Sequence, residues 1–243
     1  LGILDIKTDP VALRAQALEQ SRRMRHRGPD WSGVYDDERA ILVHERLAIV
    51  GVDSGAQPLR SPDGALALAV NGEIYNHQEL RAATSDYAFQ THSDCEVILP
   101  LYLTGSDVAS VAGWLNRLEG MFAFVLWDAA NSTWLIARDP IGIIPLYYGY
   151  DAHGNLYVAS ELKALAGVCR DVKEFPPGHF WRSGDATPAK YYAPRWREYA
   201  AVAGADADRG ALRHALEAAV RSHMMSDVPY GVLLSGGLDS SLV

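Results

Sequence analysis

Seven short apolar runs, at 40–43, 65–70, 121–127, 133–137, 146–150, 156–159 and 179–181, are each bounded by turn-forming residues, and this rhythm constrains the fold more than any other feature. Runs this short and this frequent read as strands. Helical spacing interrupts them at 11–24 and again at 94–103, where Ile98 shares a face with Leu101 or Tyr102 and Ser93 or Asp94 caps the start. The expected architecture is a pair of sheets flanked by helices. A chain of 243 residues with 49% apolar content can bury the core this requires.

The pattern changes near the end. Residues 200–208 read AAVAGADAD, without aromatics or strand formers, which marks a boundary. The spacing predicts a first domain over 1–196, a linker over 197–208 and the start of a second domain over 209–243. A helix is predicted over 209–225, with Leu212, Leu216 and Val220 on one stripe, followed by a strand at 231–234. That strand runs into Ser235-Gly236-Gly237-Leu238-Asp239-Ser240-Ser241. Gly236 and Gly237 let backbone amides approach an anion, the three serines add hydroxyl donors, and a helix starting near Ser240 aims its positive end at the same place. The loop therefore suits a pyrophosphate, although an ordinary Gly-Gly turn between strand and helix carries the same letters. It lacks the Gly-Lys-Ser/Thr ending of a Walker loop, which argues against a kinase or ATPase of that kind.

Composition narrows the partners. The net charge is −8 and the longest basic run is Arg22-Arg23, so no electrostatic footprint for nucleic acid or an anionic membrane is present. No apolar stretch approaches the ~20 residues of a membrane helix, and the opening residues Leu1 to Asp5 do not read as a signal peptide. The expectation is a cytoplasmic protein with small-molecule substrates. Cys95 and Cys169 lack metal or redox spacing, and the eight histidines show no paired ligand pattern.

In the first domain, polar residues at loops and strand ends suit an α-amino acid. A guanidinium pairs bidentately with an α-carboxylate and a carboxylate pairs with an α-ammonium, so Arg46 and Asp94 are candidates for the two ends of a zwitterion. Asn71 follows the apolar run 65–70, and its side-chain amide with the Gly72 N–H suits a developing oxyanion. A hairpin turn at Asn71-Gly72 and surface ion pairs at Arg46 and Asp94 are the plainer alternatives.

Arg25-His26-Arg27-Gly28-Pro29-Asp30, Val70-Asn71-Gly72-Glu73-Ile74-Tyr75-Asn76, Ser93-Asp94-Cys95-Glu96, Leu118 to Phe124, Arg138-Asp139-Pro140-Ile141-Gly142 and Ala159-Ser160-Glu161-Leu162-Lys163 appear in this order. The set resembles the motifs of class II glutamine amidotransferases. The final loop resembles the SGGxDSS loop of ATP-pyrophosphatases, and the two together resemble the glutamine-hydrolysing asparagine synthetases, nearest the bacterial B type. The resemblance implies an α+β N-terminal-nucleophile hydrolase sandwich (αββα), followed by the start of an α/β ATP-pyrophosphatase domain. It implies glutamine hydrolysis that feeds ammonia to ATP-dependent amidation of aspartate through an aspartyl-adenylate. Arg46, with Leu47, Ala48, Ile49 and Val50, would bind glutamine; Asn71 and Gly72 would form the oxyanion hole; Glu73 and Asp94 would hold the α-amino group. Leu233, Ser235, Gly236, Gly237, Leu238, Asp239, Ser240 and Ser241 would bind ATP, Asp239 would bind magnesium, and a homodimer is expected.

The family's nucleophile is a cysteine whose own α-amine serves as base. Leu1-Gly2 match the last two positions of the family's opening Cys-x-Ile-hydrophobic-Gly, which puts that cysteine three residues upstream of Leu1. Cys95 does not replace it, because an internal cysteine has no free amine and its segment offers no cationic neighbour. A β-lactam synthetase-like enzyme with a silent first domain, or a fragment that binds glutamine without chemistry, fits the same residues.

Overall fold

The computed structural model describes residues 1–242, which group into two compact units, Leu1–Tyr192 and a second beginning at Ala193. The strands of the first unit are β1 (Gly2–Leu4), β2 (Trp31–Asp36), β3 (Ala40–Arg46), β4 (Leu59–Arg60), β5 (Leu66–Ile74), β6 (Gly120–Asp128), β7 (Thr133–Arg138), β8 (Tyr147–Tyr150), β9 (Leu156–Ala159), β10 (Arg170–Glu174), β11 (His179–Arg182) and β12 (Ala189–Lys190). Its helices are α1 (Pro10–Arg22), α2 (His77–Ala83), α3 (Ile98–Leu103), α4 (Val108–Leu115) and α5 (Leu162–Leu165), with a 3₁₀ turn over Asp94–Val97 leading into α3. The second unit holds α6 (Tyr199–Val202), α7 (Arg209–His223) and α8 (Leu238–Leu242).

The strands form two six-stranded sheets, ordered β10-β8-β9-β1-β3-β2 and β12-β11-β7-β6-β5-β4. The strand pairs of both are antiparallel. Successive side chains of a strand face opposite ways, and the cores follow that alternation. Leu4, Ala40, Leu42 and Val158 of the first sheet meet Ala67, Ala69, Ala123, Val125, Trp127 and Ile136 of the second. The intervening residues point outward: Ile3, Ile41, Val43 and Tyr157 pack with Leu13 and Ala17 of α1, while Leu66, Leu68, Val70, Phe122 and Phe124 pack with Ile98, Leu101, Val111 and Trp114. Two faces of two sheets bury four layers, the expected αββα sandwich.

All seven apolar runs are strands, and the helix expected at 11–24 is α1, with Asp9 accepting from the Val11 N–H at its start. Ser93 caps the segment at 94–103 by accepting from the Cys95 N–H, 3.3 Å away, and the first turn there is 3₁₀. Asn71 and Gly72 are not at a hairpin turn: β5 continues to Ile74, and the two pair with Ala123 and Phe122 of β6. Residues 231–234 are not a strand. An apolar run needs a neighbouring strand to satisfy its N–H and C=O groups, and the described part of the second unit has none. The helix after the loop begins at Leu238, earlier than Ser240. The segment expected as a linker, 197–208, carries the single turn α6 near its start, and Asp208 caps α7 by accepting from the Ala211 N–H.

No helix among the described residues is long and apolar enough to cross a membrane.

Candidate functional site

The site is built on the free edge of β5. In an antiparallel ladder, alternate residues direct their backbone groups to opposite neighbours. The Ala65 carbonyl accepts from Ala129, whereas the Phe122 carbonyl accepts from Asp139 beside β7 at 2.7 Å. Odd residues of β5 therefore face β6, and even ones face the other edge. On that edge β4 pairs only as far as Leu59 opposite Leu68.

Side chains continue where β4 stops. The Gln57 amide takes both backbone groups of Val70, and Asp94 Oδ2 accepts from the Ile74 N–H at 2.7 Å. Gly72 lies between them with its N–H directed along the same edge. Its carbonyl lies 3.5 Å from the Cys95 thiol, whose hydrogen also faces Asp94 Oδ2 at 3.4 Å. Only glycine serves here, because the φ of +150° favours it and a Cβ would stand 2.1 Å from the Met121 carbonyl oxygen.

This edge opens into a pocket of about 290 Å³. Arg46, Leu47, Ile49, Val50, Asn71, Gly72, Glu73 and Asp94 all line it, so the structure brings the expected glutamine-binding residues together. Ala48 does not line it; its N–H donates to Asp30 Oδ2 at 2.9 Å, which fixes the 47–50 segment. Arg46 is buried, and three of its five N–H groups reach backbone carbonyls: Nη1 to Val52 at 3.0 Å, and Nη2 to Val50 at 3.2 Å and Gly51 at 2.7 Å. Burial lowers its pKa, while the charges of Asp30 and Asp94 act the other way. The residue therefore holds the loop as well as presenting charge to the pocket.

Glu73 and Asp94 supply the opposite sign. Burial raises the Glu73 pKa and the neighbouring charge of Asp94 adds to the rise, so the pair favours a cation between them. Burial, then the charge of and hydrogen bond to Asp94, then the charge of Glu73, push the Cys95 thiol well up. Cys95 is thus a proton donor to the strand edge and a poor nucleophile. Burial above all, with the charge of Arg46 acting in the same direction, brings His44 down to about 3, so its imidazole is neutral.

Two contacts here were not legible in the sequence. Asn71 Nδ2 donates to Ser160 Oγ at 3.1 Å, joining β5 to the residue that follows β9. At the pocket's rim Arg27 pairs with Glu161 at 3.1 Å. The Arg27 loop passes so near β3 that a Cβ on Gly28 would lie 2.1 Å from the Glu45 carbonyl oxygen. The only sequence signal for Ser160 and Glu161 was their motif at the end of an apolar run.

In the second unit, Ser235 and Ser240 share a hydrogen bond of 2.7 Å, the Ser240 and Ser241 hydroxyls donate to the Gly237 carbonyl, and Gly236 has a φ of +78°. The loop is closed on its own hydroxyls. Asp239 lies in the first turn of α8, and Leu233 and Leu238 flank the loop. Among the described residues no group of three or more His, Cys, Asp or Glu could hold a metal ion.

Comparison with known proteins adds to this geometry. The family profile described as glutamine amidotransferase domain matches residues 1–175, and that described as asparagine synthase matches 211–243. Asparagine synthetase B (glutamine-hydrolyzing) of Escherichia coli strain K12 is 59% identical over 243 residues, covering 100% of this chain and 43% of that protein. Asparagine synthetase (glutamine-hydrolyzing) 1 of Saccharomyces cerevisiae is 50% identical over 232 residues, covering 95% of this chain and 40% of that protein. The chain thus spans less than half the length of these relatives. Among solved structures, glutamine phosphoribosylpyrophosphate amidotransferase from B. subtilis superposes with a TM-score of 0.63 at 25% identity, over 79% of this chain and 49% of that one.

Proposed function

The chain belongs to the glutamine amidotransferase domain family, and from that premise we propose that it is the glutamine-hydrolysing part of an asparagine synthetase. The observation that carries this reading is the edge of β5. One donor, the Gly72 N–H, points along it between two capped neighbours, and cationic and anionic groups line the same pocket.

Glutamine fits by charge. The free N–H groups of Arg46 take the α-carboxylate, and Glu73 and Asp94 take the α-ammonium, leaving the side-chain amide toward Asn71 and Gly72. Attack by a thiolate on that amide carbon puts negative charge on the carbonyl oxygen. The Gly72 N–H and the Asn71 amide stabilise it. Collapse, with the proton that the cysteine's α-amine took from its thiol passed to the amide nitrogen, expels ammonia and leaves a thioester, and water then releases glutamate. The strand register is consistent with the family's cysteine: Gly2 stands opposite Leu42 and Ile3 opposite Ile41, so a residue three before Leu1 would fall opposite Arg46.

In the same reading, 1–196 is the glutaminase domain, 197–208 the linker and 209–243 the start of the synthetase domain. The ammonia attacks an aspartyl-adenylate made from aspartate and ATP. Leu233 contacts the adenosine, and residues 235–241 hold the phosphates through glycine amides and serine hydroxyls. Asp239 offers one carboxylate, which fits magnesium only together with nucleotide phosphates, whose charge the ion would neutralise. A cytoplasmic homodimer is part of this proposal, testable by sedimentation of the full-length protein.

The test is to give full-length protein glutamine, aspartate and Mg-ATP. Glutamate, asparagine and AMP are expected in equal amounts. Asparagine from free ammonia without glutamate release would leave a synthetase with a silent first domain, and no product would overturn the reading.

A further inference from the structure

The Asn71–Ser160 hydrogen bond crosses between the two sheets. Asn71 is in β5 of one sheet, and Ser160 is the residue after β9 of the other. β9 is also the strand that pairs with β1, with Gly2 opposite Val158 and Ile3 opposite Tyr157. Continued outward, that register sets Ser160 opposite the position just before Leu1. The contact therefore ties the Asn71 side chain to the ladder that carries the chain's first residues, and Ser160 lines the pocket at that junction.

A primary amide has two N–H groups. With one committed to Ser160 Oγ, the amide cannot turn freely, and the second is left for the pocket. We propose that Ser160 is a positioning residue for glutamine hydrolysis: its hydroxyl oxygen fixes the Asn71 amide as an oxyanion donor and sets that donor's distance from β1. This rests on the glutaminase reading above. The hydrogen bond of Ser160 goes to Asn71 and not to Arg46, Glu73 or Asp94, so its effect is expected on the transition state and not on ground-state binding.

The experiment measures glutamate release by full-length wild type and by Ser160→Ala, Ser160→Thr, Asn71→Ala and the Asn71→Ala/Ser160→Ala double variant. Ser160→Ala is expected to lower kcat about 10- to 100-fold with KM for glutamine within about twofold, since loss of a whole oxyanion donor costs about 10²- to 10³-fold. Ser160→Thr keeps the hydroxyl and is expected to recover most of the rate. In the Asn71→Ala background the serine substitution is expected to change kcat by less than about twofold, because the amide it positions is gone. A serine acting only on the local fold would instead cause the same loss in both backgrounds. An active wild type with an equally active Ser160→Ala, a rise confined to KM, or additive losses would each overturn the proposal alone. A folded wild type that releases no glutamate would overturn the glutaminase reading and this proposal with it.

Discussion

The side-chain amide of Gln57 substitutes for a strand: its Nε2 donates to the Val70 carbonyl at 3.0 Å and its Oε1 accepts from the Val70 N–H at 2.8 Å. Both bonds end one residue before Asn71, so the amide stiffens β5 where the candidate oxyanion donors begin. Gln57→Ala leaves both Val70 groups unmade and is expected to cost about 1–3 kcal/mol in urea unfolding. Gln57→Glu keeps the acceptor but sets a second oxygen against the Val70 carbonyl, and should be no more stable than Gln57→Ala at neutral pH. A Gln57→Glu protein as stable as wild type would rule out the donated bond.

Gly72→Ala and Asn71→Ala separate the fold from the chemistry. A Cβ at 72 meets the backbone of the central strand β6, at 2.1 Å from the Met121 oxygen, with φ in the region that favours glycine. That variant is expected to lose at least ~2 kcal/mol of stability together with its hydrolysis. Asn71→Ala meets no backbone clash and loses only the hydrogen bond to Ser160, so it should cost no more than about 1.5 kcal/mol while kcat falls about 10²- to 10³-fold. Chemical denaturation and glutamate release measured on the same preparations decide both.

Arg46 is expected to show two separable losses. Arg46→Ala removes the bonds to the Val50, Gly51 and Val52 carbonyls, and a cost of about 2–4 kcal/mol is expected because those donors are charged. Glutamine affinity should fall at least tenfold by calorimetric titration. Arg46→Lys restores charge but not the forked geometry, so it should regain part of the stability and little of the affinity. Equal glutamine affinity in wild type and Arg46→Ala would remove Arg46 from the site.

The sequence made the core strands legible because their apolar runs are continuous: β5 and β6 bury one residue set against the helices and the alternate set between the sheets. β1, at three residues, was too short to stand out, and β10, written Arg-Asp-Val-Lys-Glu, is an edge strand with only Val172 partly buried. The run at 231–234 misled because strand-forming residues do not make a strand without a partner. In the site, Arg46 and Asp94 were legible as charges that complement a zwitterion, while Glu73 entered through the family resemblance. Ser160 and Gln57 were not, since each acts on a partner far along the chain, 89 and 13 residues away, and neither type announces its contact.

Glu73 couples pH to both stability and binding. Burial, with the Asp94 charge second, raises its pKa from the ordinary value of 4.5. Between that value and the raised one the folded protein holds more protons than the unfolded chain, so this group's contribution to stability falls as pH rises through the window. Glu73→Gln removes the penalty: its Tm should exceed that of wild type at pH 7, and the difference should close as pH is lowered through the window. Glutamine's ammonium reverses the preference, because a cation between Glu73 and Asp94 favours the ionised carboxylate. Binding to wild type should therefore release protons within the window, seen as a dependence of calorimetric heat on buffer ionisation enthalpy, and affinity should weaken as pH falls through it. Glu73→Gln should bind about 10- to 100-fold more weakly at pH 7, the worth of a charged hydrogen bond, and show neither the proton release nor the pH dependence. Heat independent of buffer in wild type, or undiminished affinity in the variant, would place the ammonium away from Glu73.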